Sequence, residues 1–247
     1  MKPELSIVIP AFEEETRLGD SLEKIFEFLK TDSTNAEIIV VDDGSKDATA
    51  DAARKVCIEH TEILSNVIRY EENRGKGFAV RTGLQAANAD IALFTDADLS
   101  TPIEEMGKLL DPIKSGEYDV TFGSRALDRS LIGTHQPWRR EQGGKVMNLI
   151  IRTMSGLPFS DTQCGFKAFN MSKFGPLLDV MTIDRFGFDV EFLFVADRSG
   201  LRLKEVPVNW NNVEGSKVSV VRDTRRMLSE LSQIRQNARN GVYNLEK

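Results

Sequence analysis

The 247-residue chain has only two cysteines, Cys57 and Cys164, too few for a disulfide framework and in keeping with a reducing compartment and buried thiols. It also lacks a basic excess. Against 38 Asp and Glu stand 32 Lys and Arg, a formal net charge of −6, so the footprint of a nucleic-acid binder is missing. No apolar run reaches the length that crosses a bilayer, and Met1-Lys2-Pro3-Glu4 leads straight into an apolar strand instead of a signal peptide. These absences predict a cytoplasmic protein. There is no internal repeat and no low-complexity tract. Two phosphate-binding signatures are absent as well: no G-x-G-x-x-G follows the first apolar run, and G-x-x-x-x-G-K-[ST] does not occur. What is there, 40% hydrophobic and 28% charged residues, is enough to bury a sizeable core.

The stretch that organises the chain is Asp90-Ile91-Ala92-Leu93-Phe94-Thr95-Asp96-Ala97-Asp98-Leu99-Ser100, an apolar run that stops at two aspartates one residue apart. Adjacent carboxylates repel, and a strand tip that carries both on one side suits a hard divalent cation, Mg²⁺ or Mn²⁺. Three earlier apolar runs read as strands: Leu5–Pro10, Glu37–Val41 and Asn66–Tyr70. Helical spacing of Leu18, Leu22, Ile25, Phe26 and Leu29, an Ala-rich stretch through Val56, and a stretch opening at Gly75-Lys76-Gly77 alternate with them. Alternation of this kind predicts βαβ units in which ligands sit beyond the carboxyl ends of the strands. Pro10 to Glu14, Asp42-Asp43-Gly44, Asn73 to Lys76 and Asp96 to Asp98 all fall on that edge. A nucleotide site built from carboxylates and a metal is the reading left by the missing glycine signatures.

Ile7-Val8-Ile9-Pro10-Ala11-Phe12-Glu13-Glu14, Val41-Asp42-Asp43-Gly44-Ser45, Asn73-Arg74-Gly75-Lys76-Gly77 and Asp96-Ala97-Asp98 together resemble the successive motifs of the inverting family 2 glycosyltransferases of GT-A fold. Further motifs follow: Gly123-Ser124-Arg125, Asp161-Thr162-Gln163-Cys164-Gly165-Phe166-Lys167, Phe188-Asp189-Val190-Glu191, Val208-Asn209-Trp210 and Glu214-Gly215-Ser216-Lys217. This second set resembles the dolichyl-phosphate β-glucosyltransferases and, more loosely, the dolichol-phosphate mannose synthases. The resemblance implies a Rossmann-like α/β domain over residues 1–247, with a mixed, mostly parallel sheet and helices on both faces. Residues 1–100 form its nucleotide half and 101–247 its acceptor half.

The resemblance also implies roles. Pro10, Ala11, Phe12 and Glu14 line the nucleoside, Asp43 accepts from base or ribose with Asp42 buried behind it, and Gly75, Lys76 and Ala97 complete the nucleotide-sugar set. Asp96 and Asp98 contact ribose and the cation; Ser100 stands where the mannose synthases carry a metal-holding glutamine. Gly187-Phe188-Asp189 occupies the place of a Gly-Glu-Asp base, so Asp189, with Glu191 beside it, is the candidate second carboxylate. For a sugar-hydroxyl acceptor Asp189 must act as general base, whereas a lipid phosphate is already an anion and needs only cations. Arg125, after a fifth strand Val120–Gly123, and Arg139-Arg140, on a loop before an apolar helix at Gly144–Met154, supply them as phosphate forks. Thr162, Gln163 and Lys217 join the acceptor set.

The expected reaction is transfer of glucose from UDP-glucose to a polyprenyl phosphate with inversion, dependent on Asp98 and Arg125 as well as Asp189. Two alternatives stay open: a family 2 enzyme acting on a soluble or polysaccharide acceptor, and a non-catalytic nucleotide-sugar sensor. Two amphipathic basic segments are candidates for peripheral contact with a membrane: Gly144–Met154, flanked by Trp138, and Asp223–Arg239, with Met227, Leu228, Leu231, Ile234 and Ala238 against Arg222, Arg225, Arg226, Arg235 and Arg239. Oligomeric state is left open.

Overall fold

A computed structural model describes residues 2–135, 137–213 and 220–244; of residues 139, 140 and 220–223 it describes the backbone alone. Strands β1 (Leu5–Ala11), β2 (Ala36–Asp42) and β4 (Ile91–Thr95) are nearly continuous apolar runs because both faces of their sheet are covered. Alternate residues serve the two faces. Leu5, Ile7, Ile9 and Ala11 pack with α1 (Leu18–Asp32), α2 (Thr49–Glu59) and α4 (Met106–Lys114), whereas Val8 joins the opposite core. That second core is built with α3 (Lys76–Gln85), α5 (Trp138–Ser155), the short α6 (Met171–Phe174), α7 (Phe188–Arg198) and α8 (Val220–Arg239).

With β3 (Leu64–Arg69), β5 (Val120–Ser124), β7 (Phe166–Asn170) and β8 (Leu203–Pro207), the sheet runs β3-β2-β1-β4-β7-β5-β8. β7 lies antiparallel to both β4 and β5, and every other pairing is parallel, so the sheet is mixed and mostly parallel as expected. β6 (Ile132–Thr134) and β9 (Trp210–Asn211) form a separate parallel pair. Ala11 pairs with Asp42 at the end of their ladder, and β4 ends at Thr95, one residue before Asp96. The carboxyl edges of β1, β2 and β4 therefore open on one side.

Two expectations are corrected. α5 starts at Trp138, so Arg139 and Arg140 belong to its first turn and not to a preceding loop; their side chains lie outside the described residues. α8 does cover 223–239, but Met227, Leu231 and Ile234 are buried in the core, with Ala238 packed against it. Its apolar face is thus committed to the protein. No helix among the described residues is long and apolar enough to cross a membrane.

Candidate active site

A cavity of about 410 Å³ opens at the carboxyl edge of the sheet. Pro10, Ala11, Phe12 and Glu14 reach it from the end of β1, Asp43 from β2, Gly75 and Lys76 from the start of α3, and Asp96, Ala97 and Asp98 from the end of β4. These are the expected nucleotide-sugar residues with the exception of Asp42. That carboxylate is fully buried behind the wall, where it accepts from the Ser45 N–H at 3.0 Å and lies 3.3 Å from Arg69 Nε.

The turn after β4 is set by its neighbours. The Asp96 N–H donates to the Gly165 carbonyl at 3.1 Å, the Leu99 N–H to the Asp96 carbonyl at 3.1 Å, and Leu99 takes a φ of 48°. Gly165 sits directly against Asp96, so a Cβ there would overlap its carboxylate. Lys76 Nζ lies 2.6 Å from Asp96 Oδ1. Burial alone would lower the Lys76 pKa, but Asp96, Asp189 and Asp98 around it hold the ammonium above its ordinary value. Asp98 is half-buried and accepts the Ser100 N–H at 2.9 Å. Ser100 does not line the cavity; its N–H orients Asp98, and its carbonyl accepts from the Asn211 N–H at 2.7 Å.

Asp43 has a task the sequence did not disclose. Its carboxylate accepts from Asn73 Nδ2 and from the Arg74 and Gly75 N–H groups, each at 2.8 Å, and so pins the loop that delivers Lys76. Burial pushes its pKa up although those amides pull the other way. Gly75 holds a φ of 116° with the Asp184 carbonyl where a Cβ would stand, which only glycine tolerates.

The acceptor-side residues are distributed differently from expectation. Arg125 presents its fork to Asp161, with Nε–Oδ2 at 2.6 Å and Nη2–Oδ1 at 2.8 Å, and its guanidinium also faces Trp210 at 5.6 Å. Asp161 is buried; burial would raise its pKa, but Arg125 outweighs that and holds it below the usual carboxylate range. A bidentate grip on a substrate phosphate is therefore not free at Arg125. Thr162 is buried with its hydroxyl unpartnered among the described residues, while the Gln163 N–H donates to Asp161 at 3.2 Å. Cys164 is a packed thiol, pushed up to about 11 by burial and Asp161. Lys217 lies outside the described residues.

Asp189 is placed in the first turn of α7, 4% exposed and ion-paired with Lys167. The Lys167 side chain is fully buried, and its Nζ also donates to the Cys164 carbonyl at 2.6 Å. Burial raises the Asp189 pKa although Lys167 and Lys76 draw it down. Glu191 is structural. Its carboxylate accepts from the Thr182 and Ile183 N–H groups at 2.9 Å and from the Tyr243 hydroxyl at 2.7 Å, fastening the segment that carries Arg185 and Phe186 to the cavity. The Gly187 N–H donates to Glu230 on α8 at 2.7 Å, and Arg226, one turn earlier on that helix, lines the cavity too.

Arg17, Asn73, Arg185, Phe186 and Arg226 are thus cavity residues that sequence reasoning left out of the site. Arg17 had a usable signal, since it pairs with Glu14 three residues earlier, Nη2–Oε1 2.6 Å. Asn73 stood inside a quoted motif. By sequence Arg226 belongs to a basic amphipathic surface, and nothing local marks it for the cavity.

The model of glycosyl transferase family 2 matches residues 6–177. A dolichyl-phosphate beta-glucosyltransferase of Trichomonas vaginalis is 34% identical, covering 89% of this chain and 70% of that protein. One from Saccharomyces cerevisiae is 32% identical over 97% of this chain and 76% of its own. Among solved structures, glucosyl-3-phosphoglycerate synthase of Mycobacterium tuberculosis, crystallised with Mn²⁺, UDP-glucose and phosphoglyceric acid, superposes with a TM-score of 0.68 at 19% identity, covering 94% of this chain and 79% of that one. The chain belongs to glycosyltransferase family 2, and with its GT-A architecture it is a sugar-transferring enzyme.

Proposed function

We propose that the protein transfers glucose from UDP-glucose to the phosphate of a polyprenyl phosphate of the dolichyl type, with inversion at the anomeric carbon. The observation that carries this reading is the buried Lys167–Asp189 pair at the position where a base would stand. A sugar hydroxyl must lose its proton during attack and needs a free carboxylate nearby; a phosphate acceptor arrives deprotonated. With Asp189 ion-paired and nearly inaccessible, the site suits the second kind of acceptor. The names of the curated relatives support the same substrate class.

In this reading Pro10, Phe12 and Glu14 hold the nucleoside, and Asp96 and Asp98 hold a divalent cation. Among the described residues no cluster of three His, Cys, Asp or Glu side chains is available for a metal. Two hard carboxylates at a cavity wall nevertheless fit Mg²⁺ or Mn²⁺, which take their remaining ligands from phosphate oxygens and water. When bound, such an ion neutralises charge on the departing diphosphate. Lys76, Arg185 and Arg226 add fixed positive charge around the same space. The acceptor phosphate oxygen forms its bond to the anomeric carbon on the face opposite the diphosphate, the bond to UDP breaks, and the configuration inverts.

Of the two segments considered for contact with the membrane, the exposed side of α5 remains, since the apolar face of α8 is buried. Trp138 is 71%, Val146 59% and Leu149 64% exposed, with Lys145 and Arg152 on the same helix, and the protein binds peripherally through this face. The test of the reaction is incubation of the enzyme with radiolabelled UDP-glucose, GDP-mannose or UDP-N-acetylglucosamine, each with and without dolichyl phosphate and Mn²⁺. Label from UDP-glucose entering the organic phase only when dolichyl phosphate is present supports the proposal; label reaching only water-soluble acceptors refutes it.

A further inference from the structure

A second depression, of about 340 Å³, lies where the last turns of α5, α7 and α8 meet. Arg226 lines the main cavity, and Arg235 and Arg239 stand nine and thirteen residues further along α8, about 14 and 20 Å at 1.5 Å per residue. The depression is therefore a separate place on the molecule. Arg198, Arg235 and Arg239 line it together with Thr153, Met154 and Phe194. The Phe194 ring lies 4.9 Å from the Arg198 guanidinium carbon, which steadies that side chain.

The local charge is unlike that of the chain as a whole. Residues 142–160 and 231–244 carry Lys145, Arg152, Arg235 and Arg239 and not one Asp or Glu, in a protein of net charge −6. Among the described residues no carboxylate pairs with Arg198, Arg235 or Arg239. The plain structural account is that the arginines answer helix dipoles, since α5 ends at Ser155, α7 at Arg198 and α8 at Arg239. Each helix end carries roughly half a negative charge, so three ends offset about 1.5 of the three positive charges. About 1.5 units of positive charge are left over in a concave site, close to what a phosphate group brings. Guanidinium forks match phosphate oxygens in geometry as well as charge.

We propose that this depression is a phosphate-binding site distinct from the sugar-nucleotide cavity, taking the phosphate group of a phospholipid headgroup or free phosphate. Met154 and Phe194 give it an apolar floor, and exposed Leu149 precedes Thr153 by one helical turn, an arrangement that suits an amphiphilic phosphate.

The site has its own reporter in the Met154 methyl group. With ¹³C-methyl methionine in the 247-residue chain, inorganic phosphate is titrated at constant ionic strength and the Met154 resonance is followed. In parallel, co-sedimentation with phosphatidylglycerol–phosphatidylcholine vesicles is measured. The test variant is Arg235→Gln/Arg239→Gln; the control, with the same charge change on another surface, is Arg54→Gln/Lys55→Gln. A saturable Met154 shift that weakens about tenfold or more in the test variant and persists in the control establishes the site for free phosphate. Vesicle binding that weakens about tenfold or more in the test variant alone establishes it for a lipid headgroup. A Met154 signal indifferent to phosphate, combined with equal vesicle binding by test and control variants, overturns the proposal.

Discussion

Replacing Lys167 by Met removes the cation paired with Asp189 in the protein interior, where neither side chain lines the cavity. The Lys167 side chain is 0% and that of Asp189 6% exposed, so neither charge has water to fall back on. Breaking such a pair by deleting one partner costs roughly 3–5 kcal/mol, whereas removing both charges together costs little beyond either single change. Lys167→Met is expected at the lower end, about 3 kcal/mol, because Asp189 already has a raised pKa and takes up a proton once Lys167 is gone. Asp189→Asn leaves a buried ammonium with the Cys164 carbonyl as an acceptor and should cost about as much. The double variant Lys167→Met/Asp189→Asn should then cost no more than one single, a coupling of about 3 kcal/mol or more. Urea unfolding followed by circular dichroism at pH 7 measures all four proteins. The pH dependence has a definite sign. In Lys167→Met, Asp189 has its folded pKa above its unfolded value, so the variant is least impaired below the unfolded pKa and loses stability as pH rises through the folded one. Single losses that simply add, or a Lys167→Met deficit that shrinks as pH rises, would refute the assignment of a charged, mutually dependent pair.

Asp98→Ala should lower kcat by about 10²–10³-fold at saturating Mn²⁺ with an unchanged thermal melt, since Asp98 is half-buried in a turn and its one described bond is to the Ser100 N–H. Near-normal turnover would remove it from the metal site. Gly165→Ala adds one methyl against the Asp96 carboxylate and should weaken donor binding about tenfold or more while far-UV circular dichroism stays native; unchanged titration of UDP-glucose would show that Asp96 is not held there. Val146→Glu/Leu149→Glu should release the enzyme from anionic vesicles and leave UDP-glucose hydrolysis in solution unaltered, and retention on vesicles would take α5 out of the membrane contact.

The first half of the fold was legible because each strand is a local run and each polar cluster follows its strand directly. β1, β2 and β4 end where Pro10, Val41 and Thr95 suggested, within a residue, and the clusters behind them meet in one cavity. The second half depends on contacts far apart in sequence. β7 begins at the last two residues of the motif Asp161–Lys167 and runs on to Asn170, and its antiparallel place between β4 and β5 has no local signature. Arg125 looked like a phosphate ligand because it follows a strand; its actual partner, Asp161, lies 36 residues on. Arg226 shows the same limit: an arginine on a basic amphipathic helix reads as surface until the helix is docked, and only the packing of Met227, Leu231 and Ile234 turns it towards the site. Glu191 was legible as a carboxylate of interest, but not that Tyr243 and the Thr182–Ile183 backbone would consume its oxygens.

If the acceptor atom is a phosphate oxygen, Asp189 is not needed as a base. This is tested most directly on the product made from UDP-glucose labelled with ¹³C at the anomeric carbon and dolichyl phosphate. An anomeric carbon signal split by ³¹P is expected, in the β configuration, from a product formed at a comparable rate by the Lys167→Met/Asp189→Asn enzyme. A product whose anomeric carbon shows no phosphorus coupling, or one whose formation stops when Asp189 is changed to Asn in that double variant, would contradict it.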